Sequence, residues 1–308
     1  KQFLDDGGKP IGLIAPASAD LTPFSRDARK KFSSIPVLSE PGRAFRALKT
    51  AFSYRERVKS LANESTSEAG NPSNVIAQVL AESSESPMFP LSEPKSKELI
   101  SSYGVSVPQE GFAATPEEAS KLAEEIGYPV VVKGVAAALT HKSDAGAVKL
   151  NLENAAAVEV ACAEIDTSVS AYNSDIVLDG WLVAQSVPKG LELVIGIQRD
   201  PEMGPVVMFG LGGVWLELIN DVAFCGPGFG RSRAERMINE TRAGRLLDGY
   251  RGDGPFDREA VIEALVAVGQ MAADNVDYIE SLDINPFVAL SPGEGAFALD
   301  ALAVIGAG

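Results

Sequence analysis

The sequence has one histidine, His141, and two cysteines, Cys162 and Cys225, among its 308 residues. A single histidine excludes a metal centre built from several imidazoles, and it excludes any catalysis that needs two histidines of this chain. Two cysteines so far apart form neither a disulfide framework nor a metal-binding pair. This cysteine usage is typical of a reducing compartment and predicts a cytoplasmic location.

Positive charge is also scarce. The 27 Lys and Arg residues oppose 42 Asp and Glu residues, which gives a net charge of −15 and a sequence pI near 4.6. A protein that binds a nucleic-acid backbone needs a basic face, so we expect no nucleic-acid partner. The sequence has no apolar run near the ~20 residues that cross a bilayer, and we expect no membrane partner.

The length predicts two packing units, and the composition changes along the chain. Residues 1–60 contain two short apolar strand patterns and a helical pattern, too little to cover both faces of a parallel sheet, so we expect the tail of an α/β domain. Residues 61–91 are rich in Ser, Asn, Glu and Pro, which predicts a flexible linker with one short helix. Residues 92–308 mix helix and strand patterns and predict an α+β domain.

Capping signals mark several helix starts in the last segment. Thr115 to Glu118 forms a capping box with proline at the first helical position, and Gly127 ends that helix. A second capping box is predicted from Ser232 to Glu235. Asp257–Ala272 is predicted as a long amphipathic helix.

Three polar residues end predicted strands. Lys133 closes an apolar run, where it could place a point charge on a phosphate, and a simple exit to water is the alternative. Asn285 and Asp300 are equidistant from a turn between Pro292 and Gly293, so a regular hairpin puts them opposite each other on one face. Their oxygens suit Mg²⁺ on nucleotide phosphates, and an inward polar pair at a strand end is equally open.

Two further segments carry candidate chemistry. His141 lies in a polar stretch where a neutral imidazole could accept a phosphoryl group, although a solvated loop histidine is the simpler interpretation. Gly210, Gly212 and Gly213 follow a predicted strand and could let backbone N–H groups approach an anion. A tight strand turn explains these glycines equally well.

Together these segments resemble the ATP-grasp domain of the NDP-forming (ADP-forming) acyl-CoA synthetases, relatives of the succinyl-CoA ligase beta subunit. The resemblance implies an ATP-grasp fold of two α+β lobes over 92–308, and residues 1–60 resemble the end of the flavodoxin-like CoA-ligase domain that precedes it. The motifs are YPVVVK at 128–133, HKSDAGA at 141–147, GLELVIG at 190–196, RDPEMGPVVMFGLGG at 199–213, LDGYRG at 247–252, LDINP at 282–286 and LDA at 299–301.

The resemblance implies a nucleotide site. Lys133 would contact the phosphates, and Glu192 would hold the ribose hydroxyls. The segment from Gln185 to Val187 would form an interlobe hinge whose backbone reads adenine.

The resemblance also implies catalytic and metal-binding roles. His141 would accept a phosphoryl group during a relay. Glu217 and the loop Gly210–Gly213 would lie where the phosphohistidine docks. Asn285 and Asp300 would bind Mg²⁺.

The implied reaction is an acid–thiol ligation in which a carboxylate, ATP and CoA give acyl-CoA, ADP and phosphate through an acyl phosphate and a phosphohistidine. The expected cofactors are ATP or ADP and Mg²⁺. CoA would be a co-substrate bound mainly by upstream CoA-binding and ligase domains of the same protein, so the chain alone would not complete the synthesis. Aliphatic and hydroxycinnamate-type aromatic acids both fit, and a homodimer is left open.

Two other functions remain open from the sequence. One is a regulatory ATP-grasp module that senses nucleotide without turnover, and the other is an ATP-grasp carboxylate–amine ligase. The stretch HKSDAGA favours the CoA ligase, because an amine ligase needs no phosphohistidine.

Overall fold

The fold is seen in a computed structural model, which describes residues 13–15, 22–31, 37–62, 70, 73–82, 88–136, 139, 144–213 and 221–306. His141 and Glu217, the two predicted catalytic residues, lie outside these ranges. The chain divides into two compact units, Lys1–Glu64 and Ser65–Gly308.

The first unit has a parallel pair of strands beside a long helix. Its described elements are β1 (Leu13–Ala15), α1 (Pro23–Lys31), β2 (Val37–Ser39) and α2 (Pro41–Ala62). On α2 the small Ala44 is buried, whereas Phe45, Phe52 and Tyr54 are each at least half exposed. Phe45 and Phe52 are seven residues apart and lie on one side of α2, whereas Tyr54 lies on the opposite side, so aromatic side chains are exposed on both sides of this helix.

The second unit holds the other elements. Its described helices are α3 (Asn74–Glu82), α4 (Glu93–Ser102), α5 (Pro116–Ile126), α6 (Ala155–Tyr172), α7 (Arg231–Glu240), α8 (Arg242–Leu247) and α9 (Arg258–Asp274). Its described strands are β3 (Met88–Pro90), β4 (Glu110–Ala113), β5 (Val130–Val135), β6 (Val148–Leu152), β7 (Gly180–Gln185), β8 (Leu191–Asp200), β9 (Gly204–Leu211), β10 (Val222–Cys225), β11 (Ile279–Ala289), β12 (Ala296–Ala298) and β13 (Leu302–Gly306). None of the described helices is long and apolar enough to cross a membrane.

The smaller lobe of this unit is an antiparallel four-stranded sheet in the order β4-β7-β5-β6. Helices α5 and α6 pack on it and share one buried apolar cluster with its strands. Along β5, Val130 and Val132 are fully buried in that cluster. Because side chains alternate along a strand, Lys133 lies on the opposite face, away from the two helices.

The larger lobe is built on a seven-stranded antiparallel sheet. Its order is β10-β9-β8-β11-β13-β3, and β12 pairs with β11 as well. A second apolar cluster joins this sheet to α3, α4, α7, α8 and α9, with Phe209 and Phe287 among its largest fully buried side chains. The two sheets, each with its own helices, give the mixed α+β content that the sequence patterns predict.

One of the two predicted capping boxes is present, and the long helix predicted from Asp257 has a side-chain cap as well. Thr115 Oγ1 accepts a hydrogen bond from the Glu118 N–H at 3.2 Å, as the capping box predicts. Asp257 caps α9 by accepting from the Ala260 N–H at 3.1 Å. The capping box predicted at Ser232 is wrong, because α7 already begins at Arg231 after an N-cap glycine without a side-chain cap.

The pairing predicted for the last hairpin is confirmed around the site. β11 pairs with β13 through Asp283 and Leu302, and it pairs with β12 in the same register. Continued between the two paired stretches, this register places Asn285 opposite Asp300.

The structure differs from the flexible linker predicted over residues 61–91. Val75 and Ile76 of α3 are buried in the larger lobe, and β3 pairs with β13. The Ser73 N–H also donates to the Asn275 side-chain oxygen at 3.0 Å. Apolar side chains at helical spacing within a polar stretch are enough to dock this short helix.

Candidate functional site

Lys133 connects the two lobes. Its ammonium group donates to the Leu299 carbonyl oxygen at 2.8 Å and to Glu93 Oε1 at 2.8 Å. Leu299 lies between β12 and β13 of the larger lobe, directly before Asp300. The lysine side chain is 13% exposed, so the structure contradicts a simple exit to water and brings Lys133 beside the predicted metal-binding hairpin.

Glu93 belongs to a buried ion network that the sequence analysis missed. Lys97 donates to Glu93 Oε1 at 2.8 Å and to Glu110 Oε2 at 2.7 Å. Burial alone would lower the pKa of Lys97, but the carboxylates of Glu93 and Glu110 raise it above its usual value. The sequence offers one signal for part of this network, the spacing of Glu93 and Lys97, which are four residues apart and therefore neighbours on a helix. We call Glu93, Lys97, Glu110 and Lys133 the interlobe ion network.

Acidic and amide side chains meet on the last hairpin. Asp283 and Asn285 stand two residues apart on β11, so their side chains leave the same face of the strand. Burial and the nearby Asp300 carboxylate raise the pKa of Asp283, although its side chain still reaches solvent. The Asp300 carboxylate therefore lies near Asp283.

These oxygen donors fit the Mg²⁺ that the resemblance implies. Among the described residues, no three His, Cys, Asp or Glu side chains converge into a preformed metal cluster. Mg²⁺ is usually held by one or two carboxylates together with substrate phosphates and water, and seldom by an all-protein cage. Asp283, Asn285 and Asp300 therefore suit a metal ion that binds with a nucleotide.

The predicted hinge and ribose residues lie where the chain passes between the lobes. Gln185 ends β7 of the smaller lobe, and Glu192 is the second residue of β8 in the larger one. The Gln185 N–H donates to the Gln109 carbonyl oxygen at 2.8 Å, so the strands that enter and leave the smaller lobe are bonded together here. Val187 follows in the connection and is partly buried.

The loop that contains the glycine cluster is shorter in the structure than the sequence predicted. Gly210 lies inside β9, where it pairs with Val194 and Val222 of the two neighbouring strands, so we correct the predicted loop Gly210–Gly213 to its last two residues. The Gly212 N–H donates to the Glu192 carbonyl oxygen at 3.0 Å.

Gly213 brings this turn against the predicted ribose residue. Its φ is 60°, and a Cβ there would lie 2.7 Å from Glu192 Oε2. The structure thus brings Glu192 and the two glycines together where the central strands β8 and β9 meet, at one end of the larger sheet.

A model of a known protein family matches most of this sequence. It is described as an ATP-grasp domain and matches residues 83–305, more than two thirds of the chain. The chain belongs to the ATP-grasp domain family.

Two relatives show which ATP-grasp proteins this chain is similar to. The subunit beta of acetate–CoA ligase [ADP-forming] II of Pyrococcus furiosus is 36% identical over 77% of this chain and 98% of that subunit. A trans-feruloyl-CoA synthase from an unknown prokaryotic organism is 42% identical over 69% of this chain, which spans 30% of that longer protein.

A solved structure is similar over nearly its whole length. It is acetyl-coenzyme A synthetase 1 of Ca. Korarchaeum cryptofilum in complex with coenzyme A and Mg-AMPPCP, with its phosphohistidine segment pointing towards the nucleotide binding site. The identity is 40% and the TM-score 0.61, covering 70% of this chain and 92% of that one. These comparisons confirm the predicted ATP-grasp fold and the predicted kinship with ADP-forming acyl-CoA synthetases.

Proposed function

We propose that this chain is the nucleotide-binding and phosphoryl-transfer part of an ADP-forming acyl-CoA synthetase. The whole enzyme would convert a carboxylate, ATP and CoA into acyl-CoA, ADP and phosphate. The observation that carries the proposal is the meeting of Lys133 with the Asn285–Asp300 hairpin between two ATP-grasp lobes. The relatives support it, because they are named as ADP-forming or acyl-CoA ligases.

In this proposal each lobe contributes part of the nucleotide site. Lys133 supplies a positive charge to the phosphate oxygens, and the backbone from Gln185 to Val187 reads the adenine edge. Glu192 accepts hydrogen bonds from the ribose hydroxyls. Phosphoryl transfer needs mainly positioning and charge neutralisation, which is what these groups provide.

Asp283, Asn285 and Asp300 would hold Mg²⁺ in this proposal. The bound ion would neutralise charge on the nucleotide phosphates during transfer. The protein's own contribution would be to present three oxygen ligands on the hairpin, next to the Leu299 carbonyl that accepts from Lys133.

His141 would act as the phosphoryl acceptor of the chain. An imidazole nitrogen forms a bond to the γ-phosphorus of ATP, the bond from that phosphorus to the β,γ-bridging oxygen breaks, and ADP leaves with the electron pair. The phosphoryl group then passes to the carboxylate and gives an acyl phosphate. The CoA thiolate attacks its carbonyl carbon and releases phosphate. Glu217 and the turn at Gly212 and Gly213 would receive the phosphohistidine.

The partners of the chain also belong to this proposal. CoA and the carboxylic acid would be bound mainly by CoA-binding and ligase domains joined to residues 1–60. The ATP-grasp domain would begin before residue 92, because α3 and β3 already pack in the larger lobe. The exposed Phe45 and Phe52 of α2 support a neighbouring domain, because adjacent large apolar side chains on a surface mark an interaction site. The free thiols of Cys162 and Cys225 support a cytoplasmic location.

The proposal can be tested with radiolabelled nucleotide. The chain has one histidine, so any phosphohistidine formed in it must be His141. We expect [γ-³²P]ATP with Mg²⁺ to leave a label that is labile in acid and stable in base, with ADP released in equal amount. His141→Asn should abolish this label without changing the affinity for Mg·ADP.

Two outcomes would count against the relay. One is the absence of label on a wild-type chain that binds Mg·ATP, which would favour a nucleotide-sensing module. The other is a label that persists in His141→Asn. In the full-length protein, thioester formation that releases AMP, or product formation that needs an amine and no CoA, would contradict the ligase assignment.

A further inference from the structure

The interlobe ion network contains more than the lysine assigned to the phosphates. Lys133 on β5 and Glu110 on β4 belong to the smaller lobe, whereas Glu93 and Lys97 stand on α4, which packs in the larger lobe. Two ion pairs therefore cross between the lobes, from Glu93 to Lys133 at 2.8 Å and from Lys97 to Glu110 at 2.7 Å. The four side chains are between 3% and 13% exposed, so solvent screens these pairs little.

Glu93 is itself held in place. It occupies the first turn of α4, where a carboxylate is favoured by the helix dipole, and its side chain is 7% exposed. Lys97 lies one helical turn further on. It donates to the same Oε1 atom that accepts the hydrogen bond from Lys133. An acceptor fixed by its own helix can define the position of a long and otherwise flexible lysine side chain.

The Lys133 ammonium group uses two of its N–H bonds on protein acceptors. An ammonium group has three N–H bonds. One donates to Glu93 and one to the Leu299 carbonyl oxygen, and among the described residues the third meets no protein acceptor. Because two acceptors fix the nitrogen, the direction of the remaining N–H bond is fixed as well.

We infer that Glu93 is a positioning residue, which anchors Lys133 at the mouth of the Asn285–Asp300 hairpin so that its remaining N–H bond is aimed at nucleotide phosphate. Lys97 and Glu110 support this role, because they hold Glu93 in place and balance the charge of the network. This inference rests on the proposed function, because it assigns Lys133 to the phosphates.

Glu93 has two effects on phosphate binding that oppose each other. Its geometry orients Lys133, which favours binding, and its negative charge opposes an incoming phosphate. Glu93→Asp separates them, because it keeps the charge and withdraws the carboxylate by the length of one methylene group. If position dominates, this substitution weakens the binding of phosphate-bearing ligands although the net charge is unchanged.

The experiment is a double-mutant cycle on Mg·ADP affinity, measured by titration calorimetry with the whole chain. The variants are Glu93→Asp, Lys133→Met and the two together. We expect Glu93→Asp to weaken Mg·ADP by about tenfold and Lys133→Met by at least as much. The double variant should bind no more weakly than Lys133→Met, because an anchor has no effect once its lysine is gone.

The matched control lies on the same helix. Glu98 pairs with Lys95 at 2.9 Å on the exposed side of α4, and Glu98→Asp makes the same chemical change there. It should leave Mg·ADP affinity within twofold of the wild type. Circular dichroism and urea unfolding of every variant identify any loss of folded protein.

The results separate this inference from the proposed function. Wild-type affinity in Glu93→Asp, or an equal weakening by Glu93→Asp with and without Lys133, would overturn the positioning role and leave the nucleotide site standing. A wild-type chain that binds no Mg·ADP would overturn both. A tighter complex in Glu93→Asp would also overturn the inference, because charge and not position would then dominate.

Discussion

At the scale of single residues, Asp257 links two parts of the larger lobe. Its carboxylate caps α9 through the Ala260 N–H, and it accepts two further bonds from Gly293 and Gly295 in the loop after β11, at 2.8 and 3.0 Å. Burial alone would raise the pKa of Asp257, but these backbone N–H groups lower it below its usual value. The ionised form is therefore the one that the fold stabilises.

This arrangement predicts a pH-dependent stability. A carboxyl group with a lowered pKa contributes stability above its unfolded pKa of about 3.9, and the contribution is lost as the pH falls through the lower folded value. Asp257→Asn should lower the free energy of unfolding by about 1–3 kcal/mol at pH 7, because a neutral amide with one acceptor oxygen cannot replace the carboxylate. Urea unfolding should show a constant deficit from pH 7 to 5 that shrinks only below about pH 4.

The exposed Asp175→Asn is the control for this prediction. It should change the unfolding free energy by less than about 0.5 kcal/mol at pH 7. A deficit of Asp257→Asn that stayed the same down to pH 3 would show that the charge of Asp257 is not involved.

The sequence predicted some residues of the site and not others, for a physical reason. Lys133, Asn285 and Asp300 could be proposed from the sequence, because a strand pattern and a hairpin register fix where such residues lie. Glu93 was missed because its partner Lys133 is distant in the chain, and no local pattern reports that contact. Asn275 was missed for the same reason: it is fully buried and bonds Ser73, Tyr103 and Met271 across three elements.

At the scale of secondary-structure elements, the packing of the central strands of the larger sheet depends on two glycines. A Cβ at Gly190 would lie 2.2 Å from the Ala289 carbonyl oxygen, and one at Gly212 would lie 2.6 Å from the Leu193 carbonyl oxygen. Both contacts are with backbone atoms, which cannot rotate away as a side chain can. The strands β8, β9 and β11 thus approach closely where Glu192 stands.

This close approach predicts the effect of a single methyl group. Gly212→Ala should push β9 from the start of β8, lower the free energy of unfolding by about 1–3 kcal/mol and weaken Mg·ADP, since Glu192 moves with the strand. Urea unfolding and titration calorimetry measure the two effects. Gly226→Ala is the control: its Cβ would meet nothing within 4 Å, and we expect unchanged stability and affinity. Equal results for the two variants would contradict the close-packing argument.

Helix starts and strand pairings were predicted correctly where neighbouring residues in the sequence determine them. The helix after Thr115 and the register of the last hairpin follow from a capping box and from the parity of strand positions. The false capping box at Ser232 matched a local pattern, but α7 begins one residue earlier, at Arg231. The docking of α3 on the larger lobe depends on tertiary contacts with an apolar cluster that the surrounding polar sequence conceals.

At the scale of the whole second unit, the proposed metal site predicts how ligand and stability are linked. Mg·ADP at about 100 times its Kd should raise the free energy of unfolding by about 2.7 kcal/mol, because it binds only the folded lobes. EDTA should remove most of this gain, and Asp300→Asn should reduce it. Thermal unfolding with ADP, with and without Mg²⁺, measures each contribution.

The exposed Asp277→Asn provides the comparison for this prediction. It removes the same charge outside the site and should keep the full Mg²⁺-dependent gain. If Asp300→Asn matched it, or if ADP stabilised the chain equally in EDTA, the hairpin would not be the metal site.

The hydrogen bond between Gln185 and Gln109 has a consequence for how the domain is built. The chain leaves the larger lobe after α4, forms β4 to β7, and returns to β8 beside the point where it left. The smaller lobe is therefore inserted into the chain of the larger lobe, and the residues where it begins and ends are hydrogen-bonded to each other. A short peptide could join α4 to β8 in its place, and Lys133 would then be removed together with the smaller lobe, with the hairpin that carries Asn285 and Asp300 left intact.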